Sequence, residues 1–327
     1  MNMKPWAALL LLAPAFGEVT CGNTPPFKFV DVLGDACMIV LYGGGALLIR
    51  EAVLRFRKGW AALLLFGAAY GVVEEGLMCK SFFDPHWPGL GLLSSYGRYA
   101  GVNWVWAYYL TAYHAFYSIG FSILVAETLY RRVSGRRWVT NRGAWWLGGL
   151  LAADVILGYT CFPKPEMPYR PGPGLTLGAL AAVVVFVALG SVLRNARRTA
   201  ATATATASPW AFGAIGFLAP LLFFTLMFSS SGSALPPVGD LALATALFAG
   251  YAWAVARMSR GGRGWDARQR GGLTAGVLAG MVPLGLLASG LQGLQSGMVL
   301  VCALEVFLIV VLVRRSRETY VDSPAAE

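Results

Sequence analysis

The sequence predicts an all-α fold: a polytopic transmembrane helix bundle of about ten spans, with the N and C termini cytoplasmic. Three observations predict it. The chain is 57% hydrophobic and 13% charged, against about 25% charged residues in an ordinary soluble domain. Its mean hydropathy is +0.61, more apolar surface than a soluble fold of this length can bury. The apolar residues fall into runs of near bilayer length, and the basic residues fall between them on alternate sides.

The candidate spans are 5–20, 30–49, 60–79, 104–126, 144–162, 174–193, 210–229, 239–256, 272–291 and 297–313, each near the roughly 20 residues that a bilayer core requires. Alternate loops carry Lys4; Arg50, Arg55, Arg57 and Lys58; Arg131, Arg132, Arg136, Arg137 and Arg142; Arg194, Arg197 and Arg198; Arg257, Arg260, Arg263, Arg268 and Arg270; and Arg314, Arg315 and Arg317. The opposite loops carry only Lys28, Lys80, Arg98, Lys164 and Arg170. That asymmetry places the basic loops in the cytoplasm. It also accounts for the net charge of +10 as a topology signal, so nucleic acid is not an expected partner; the lipid bilayer is.

Taken in order, Lys4 and the run Trp6 to Phe16 fit a retained helix. They also fit a signal peptide with Ala13-Pro-Ala15 as its cleavage site, and the length favours the helix. Gly43-Gly44-Gly45 stands mid-span, where small residues serve close helix packing. Arg50-Glu51 at the inner end of that span reads as an interfacial ion pair. The third run ends in Glu74-Glu75. The loop from Lys80 to Asn103 contains Asp84 and is rich in Phe, Trp and Leu, too apolar for a free loop. It is expected to lie in the interface or to dip back over a cavity. The fourth run carries His114, with Leu110 and Ser118 on its face and Trp106 and Asn103 further outward.

Residues 199–208 form an Ala/Thr linker, and 318–327 read as a disordered tail. Residues 1–317 therefore form a single membrane domain, with 1–142 and 143–317 as its natural halves. Cys79 and Cys161 lie at outer helix ends, where a bridge or two buried thiols both fit.

The chemistry lies in the buried acids. Glu18, Asp35, Glu74, Glu75, Asp154 and Glu305 all fall at membrane depth, Glu74 and Glu75 about 22 Å from the cytoplasmic face. Ionisable residues there are costly and mark functional sites by default. On an α-helix adjacent residues point about 100° apart, so Glu74 and Glu75 need not share one site.

A diglutamate on one span with a histidine on the next resembles the CAAX protease and bacteriocin-processing family of intramembrane enzymes. Glu74 and Glu75 match that family's diglutamate and His114 its first histidine. The chain departs from the pattern at Cys79, where the family has Arg and Lys80 follows one residue late, and at Leu110, where it has Phe. A third-motif histidine is absent, and Asp154 is the nearest substitute. The resemblance covers residues 60–125. It implies water activated by glutamate with histidine stabilising the oxyanion, or a divalent metal such as zinc held by Glu75 and His114.

On these grounds Glu74, Glu75 and His114 are the candidate catalytic residues. Lys80, Asp84, Asn103, Ser118, Asp154 and Glu18 are supporting polar groups. The expected protein is a multi-pass plasma-membrane hydrolase acting on a membrane-embedded peptide, lipid or small molecule. The alternatives are a proton- or cation-coupled secondary transporter and a non-catalytic membrane protein.

Overall fold

The structure, a computed structural model, describes residues 3–27, 36–88, 90–161, 169–193, 207–229, 235–259, 265–291 and 297–318. Asp35, the linker at 199–206 and the tail from 319 onward lie outside the described residues. Among the described residues eight helices are long and apolar enough to cross a bilayer, namely α2 Ala36–Arg55, α3 Trp60–Met78, α4 Trp104–Leu129, α5 Asn141–Cys161, α6 Pro173–Val192, α7 Pro209–Ser229, α8 Pro237–Met258 and α9 Ala267–Leu291; the other two expected spans are the shorter α1 Pro5–Val19 and α10 Met298–Arg317, which carries Glu305 and ends in arginines. Helices α9 and α10 continue through Arg268, Arg270 and Arg314 to Arg317, beyond the apolar runs. Hydropathy reports where the bilayer ends, and arginine is a good helix former that extends the helix into water.

The basic helix ends meet on one side. Arg50 bonds Glu51, Glu127 and the Arg136 carbonyl, Lys58 donates to the Ser191 and Leu193 carbonyls, and Arg131 donates to the Arg315 carbonyl. The opposite ends meet on the other side, where Lys80 reaches Tyr159 and Tyr96 reaches Leu235. This is the alternation that the charge pattern requires.

Two packing modes build the bundle. In the back half, Gly272, Gly276 and Gly280 of α9 lie directly against the backbones of Pro209, Gly213 and Phe217 of α7. A four-residue spacing of small residues lets two helices approach at backbone distance. Around the first spans, α3 is enclosed by α2, α4 and, from the back half, α6, with Gly67 against Ala115 and Gly71 against His114 and Thr111. The central windows of α5, α6 and α8 are 11% buried against 72% for α4, so α4 is the axis of the bundle and those three helices face lipid. Helix α1 belongs to this core, with Leu9 and Ala13 fully buried.

Among the described residues four helices carry π turns: Ala15–Val19 at the end of α1, Ile39–Gly44 within α2, Val72–Met78 at the end of α3 and His114–Phe121 within α4. In α1 the interruption follows Pro14, which has no N–H to give the Leu10 carbonyl. Gly43 of α2 rests against that carbonyl, and a Cβ there would stand 2.5 Å from its oxygen.

The loop between α3 and α4 folds back on the bundle and packs its apolar side chains there. Phe82, Phe83, Leu90 and Leu93 are buried in one cluster with Val105, Trp106 and Tyr109. Its two-residue strands β1, Arg98–Tyr99, and β2, Val102–Asn103, pair antiparallel through a turn in which Ala100 and Gly101 both have positive φ. Two consecutive left-handed residues suit the twist of a tight hairpin. Arg98 fastens the loop by donating to the carbonyls of Phe83, Asp84 and Ser94. All five cysteines are free thiols, so the Cys79–Cys161 bridge does not form.

A buried Glu-His-Glu cluster as candidate functional site

Each π turn delivers one part of a single buried cluster. Adjacent residues on an α-helix diverge by about 100°. The i→i+5 turn is wider and narrows that divergence, so Glu74 and Glu75 both reach the same histidine. His114 Nε2 lies 3.2 Å from Glu75 Oε1 and is hydrogen-bonded to it. His114 Nδ1 lies 3.2 Å from Glu74 Oε2, in ion-pair contact but without hydrogen-bond alignment. The three residues are 1%, 3% and 8% exposed for His114, Glu74 and Glu75. Gly71 permits the arrangement, because a Cβ there would press on the His114 Cβ at 3.0 Å.

Around this triad stand three tyrosines. The rings of Tyr42, Tyr70 and Tyr113 lie 6.1, 5.8 and 5.5 Å from the imidazole. Tyr42 also donates to Glu18, whose second oxygen accepts from Asn23 at 2.6 Å and Thr24 at 2.7 Å. Glu18 is thus drawn into the same polar region through Tyr42. A second arm arrives from the loop. Lys80 takes a left-handed conformation, φ 65°, and reverses the chain so that Ser81 returns over the end of α3. Ser81 Oγ donates to Glu75 Oε2 and accepts from Trp106 Nε1 at 3.1 Å. The result is a continuous chain Trp106–Ser81–Glu75–His114 with Glu74 on the far side of the ring.

The other expected supporting residues do not join it. Lys80 is buried but points to α5, donating to the Tyr159 carbonyl at 2.8 Å; its burial lowers the pKa of its ammonium. Asp84 shapes the loop, accepting from the His86 N–H. Asn103 caps α4 by accepting from the Trp106 N–H at 3.0 Å and ties the loop by donating to the Leu93 carbonyl. Ser118 is fully buried a turn beyond His114 with no hydrogen-bond partner for its hydroxyl. Asp154 is buried on α5 beside Cys37 and does not take the place of a third-motif histidine. Sequence reasoning missed Ser81, Tyr42 and Tyr70. Each sits within an apolar run or a loop, with nothing in the local pattern to set it apart.

One oxygen of Glu74, one of Glu75 and one nitrogen of His114 lie within 4.8 Å of one another. Carboxylate oxygens and imidazole nitrogens are both zinc ligands, and the cluster adds Glu74 to the pair expected from the sequence. Buried polar atoms without a hydrogen-bond partner occur here as well, namely the Tyr70 hydroxyl, Glu74 Oε2 and His114 Nδ1. Such atoms in a native structure call for a water or an ion.

Fold and site together define a class: a multi-pass all-α membrane protein with a buried glutamate–histidine constellation. The chain belongs to an uncharacterized membrane protein family, whose model matches residues 8–313. No curated protein and no solved structure matches the chain.

Proposed function

We propose that the cluster is the centre of an intramembrane hydrolase, with Glu75 as general base and His114 as the group that stabilises the oxyanion. The observation that carries this reading is the imidazole held between two buried carboxylates. A ring N–H held in place by buried carboxylates in a water-poor site can stabilise a developing oxyanion.

In this reading Glu75 takes a proton from water and the resulting hydroxide adds to a carbonyl carbon of a membrane-embedded peptide or lipid. His114 Nε2, released from Glu75 as that carboxylate turns to the water, donates a hydrogen bond to the oxygen that becomes negative. The proton held by Glu75 then passes to the leaving group as the intermediate collapses. Glu74 orients the ring from its second nitrogen, and Ser81, fixed by Trp106, orients Glu75. The residues also fit a divalent cation, which Glu74, Glu75 and His114 would hold; when bound it would supply a Lewis acid for the same carbonyl. The partial resemblance to the CAAX protease and bacteriocin-processing family supports this assignment at Glu74, Glu75 and His114. The charge pattern supports cytoplasmic termini, and a plasma-membrane setting is part of the same proposal.

The test is turnover of a panel of quenched transmembrane peptides and fluorogenic lipid esters by the protein reconstituted in vesicles. Glu75→Gln and His114→Ala should each lower turnover by about 10²–10⁴ while the folded fraction is unchanged. Asp154→Asn should leave it intact. Equal turnover by Glu75→Gln and wild type would end the hydrolytic reading. Removal of zinc by chelation, followed by its return, separates the metal form from the metal-free one. The transport reading draws on Glu305, which is 3% exposed on α10 with neither carboxylate oxygen hydrogen-bonded, because lone intramembrane acids also serve cation coupling. It predicts uptake by the same vesicles that Glu305→Gln abolishes.

A further inference from the structure

Helices α1 and α10 both lean on α4, and a wedge remains between them on the basic side. It forms a groove of about 560 Å³, within the range of small-molecule pockets, about 300–1,000 Å³. Its walls are Leu11 and Leu12 of α1 and Phe307, Leu308 and Val311 of α10, with Leu129 at the end of α4. Arg314 and Arg315 close its polar end, together with Glu318. Phe307 lies eight residues before Arg315, so the groove descends about 12 Å into the bilayer from the guanidinium level.

This pairing of chemistries fits one ligand. An apolar furrow open to the hydrocarbon takes an acyl chain. Two guanidiniums where that furrow meets the basic face take a phosphate, to which arginine binds through its planar fork. Glu318 offsets part of the charge of Arg315, its Oε2 lying 3.5 Å from Nη1, but this exposed pair is weak. Arg131 fixes the rim, since its guanidinium donates to the carbonyls of Arg315 and Glu318. Basic pockets between transmembrane helices on the cytoplasmic side are where anionic lipid head groups bind.

We infer that the groove between α1 and α10 is a specific site for an anionic phospholipid, one acyl chain along Leu11, Leu12, Phe307, Leu308 and Val311 and its phosphate on Arg314 and Arg315. The inference stands apart from the hydrolytic reading, because the groove lies on the basic face and shares no residue with the Glu-His-Glu cluster. Helix α1 carries Glu18, so a lipid bound here also braces one wall of the polar region.

The test is native mass spectrometry of the full chain in detergent, titrated with phosphatidylglycerol or with phosphatidylcholine of the same acyl composition. Phosphatidylglycerol should bind at least about tenfold more tightly. Arg314→Gln combined with Arg315→Gln should weaken it about 30-fold, on about 1 kcal/mol for each basic residue near the surface. Leu11→Trp, a change at a half-exposed position, should block binding while leaving both arginines in place. A thermal melt of each variant without lipid confirms that it is folded. Equal binding of the two lipids, or unchanged binding by both variants, would overturn the proposal. So would displacement of phosphatidylglycerol by millimolar glycerol phosphate, which would mark a surface anion site without an acyl groove.

Discussion

Ser81 offers the sharpest test of the cluster. Its hydroxyl is fully buried between the Trp106 indole and Glu75. Ser81→Ala removes a hydrogen bond to a carboxylate, worth about 1.5–3 kcal/mol in proteins generally, and leaves a buried indole N–H unpaired, which costs about 1–3 kcal/mol. In bilayers side-chain hydrogen bonds measure less, about 0.6 kcal/mol on average and at most about 1.7. The low ends therefore apply, and the expected loss is about 2–3 kcal/mol. Trp106→Phe deletes the donor but leaves Ser81 bonded to Glu75, and should cost about 1 kcal/mol. In the double variant no indole N–H remains to be orphaned, so the sum of the two single losses exceeds the double loss by about 1 kcal/mol. The assay is reversible unfolding in bicelles, followed by near-ultraviolet circular dichroism or steric trapping, for the four proteins of the cycle. A coupling below about 0.3 kcal/mol, the limit of additivity for independent sites, would refute the Trp106–Ser81–Glu75 chain.

Three further outcomes follow from the packing. Gly43→Ala should lower unfolding stability by about 1–3 kcal/mol, because its Cβ would meet the rigid backbone of Leu10 at 2.5 Å, whereas Gly148→Ala, with open space around it, should stay within about 0.5 kcal/mol; equal melting of the two would refute the close approach of α1 to α2. Arg50→Ala should destabilise by about 3–5 kcal/mol, since Arg50 is 1% exposed and holds Glu51, Glu127 and the Arg136 carbonyl. Arg50→Lys should recover only part of this, as an ammonium cannot reproduce the fork over Trp138, and thermal denaturation of both variants checks it. A membrane-impermeant maleimide added to sealed right-side-out cells should label exposed Cys161 and spare buried Cys302; labelling only after permeabilisation would invert the topology.

The fold was legible because two independent codes, apolar length and basic asymmetry, read the same ten segments. The pairing of the diglutamate with His114 was legible for a simpler reason. Buried acids need a counter-group, and His114 was the histidine on a neighbouring span. What stayed hidden depends on helix phase. The α-helical angle separates Glu74 from Glu75, and only the π turn brings both to one ring. Periodicity read at the α-helical period is blind to that turn. Lys80 and Asp84 follow the diglutamate closely in sequence, yet the left-handed residue at Lys80 sends the chain back on itself. Its neighbour Ser81 takes the contact while Lys80 turns to Tyr159. Tyr42 and Tyr70 were hidden because an aromatic residue in an apolar run has the same signature whether its hydroxyl faces lipid or a carboxylate.

A wide turn holds one residue more than a regular helix needs, so each interruption amounts to a frame slip written into the protein. Deleting Val73, just before the acids, would leave the start of α3 seated and rotate everything after the deletion by about a quarter of a turn, swinging the acids away from the ring. The constellation would vanish although every chemical group in it survived. Comparing chains of this type by residue identity alone would overlook that loss, whereas counting the spacing from Gly71 to Ser81 would reveal it.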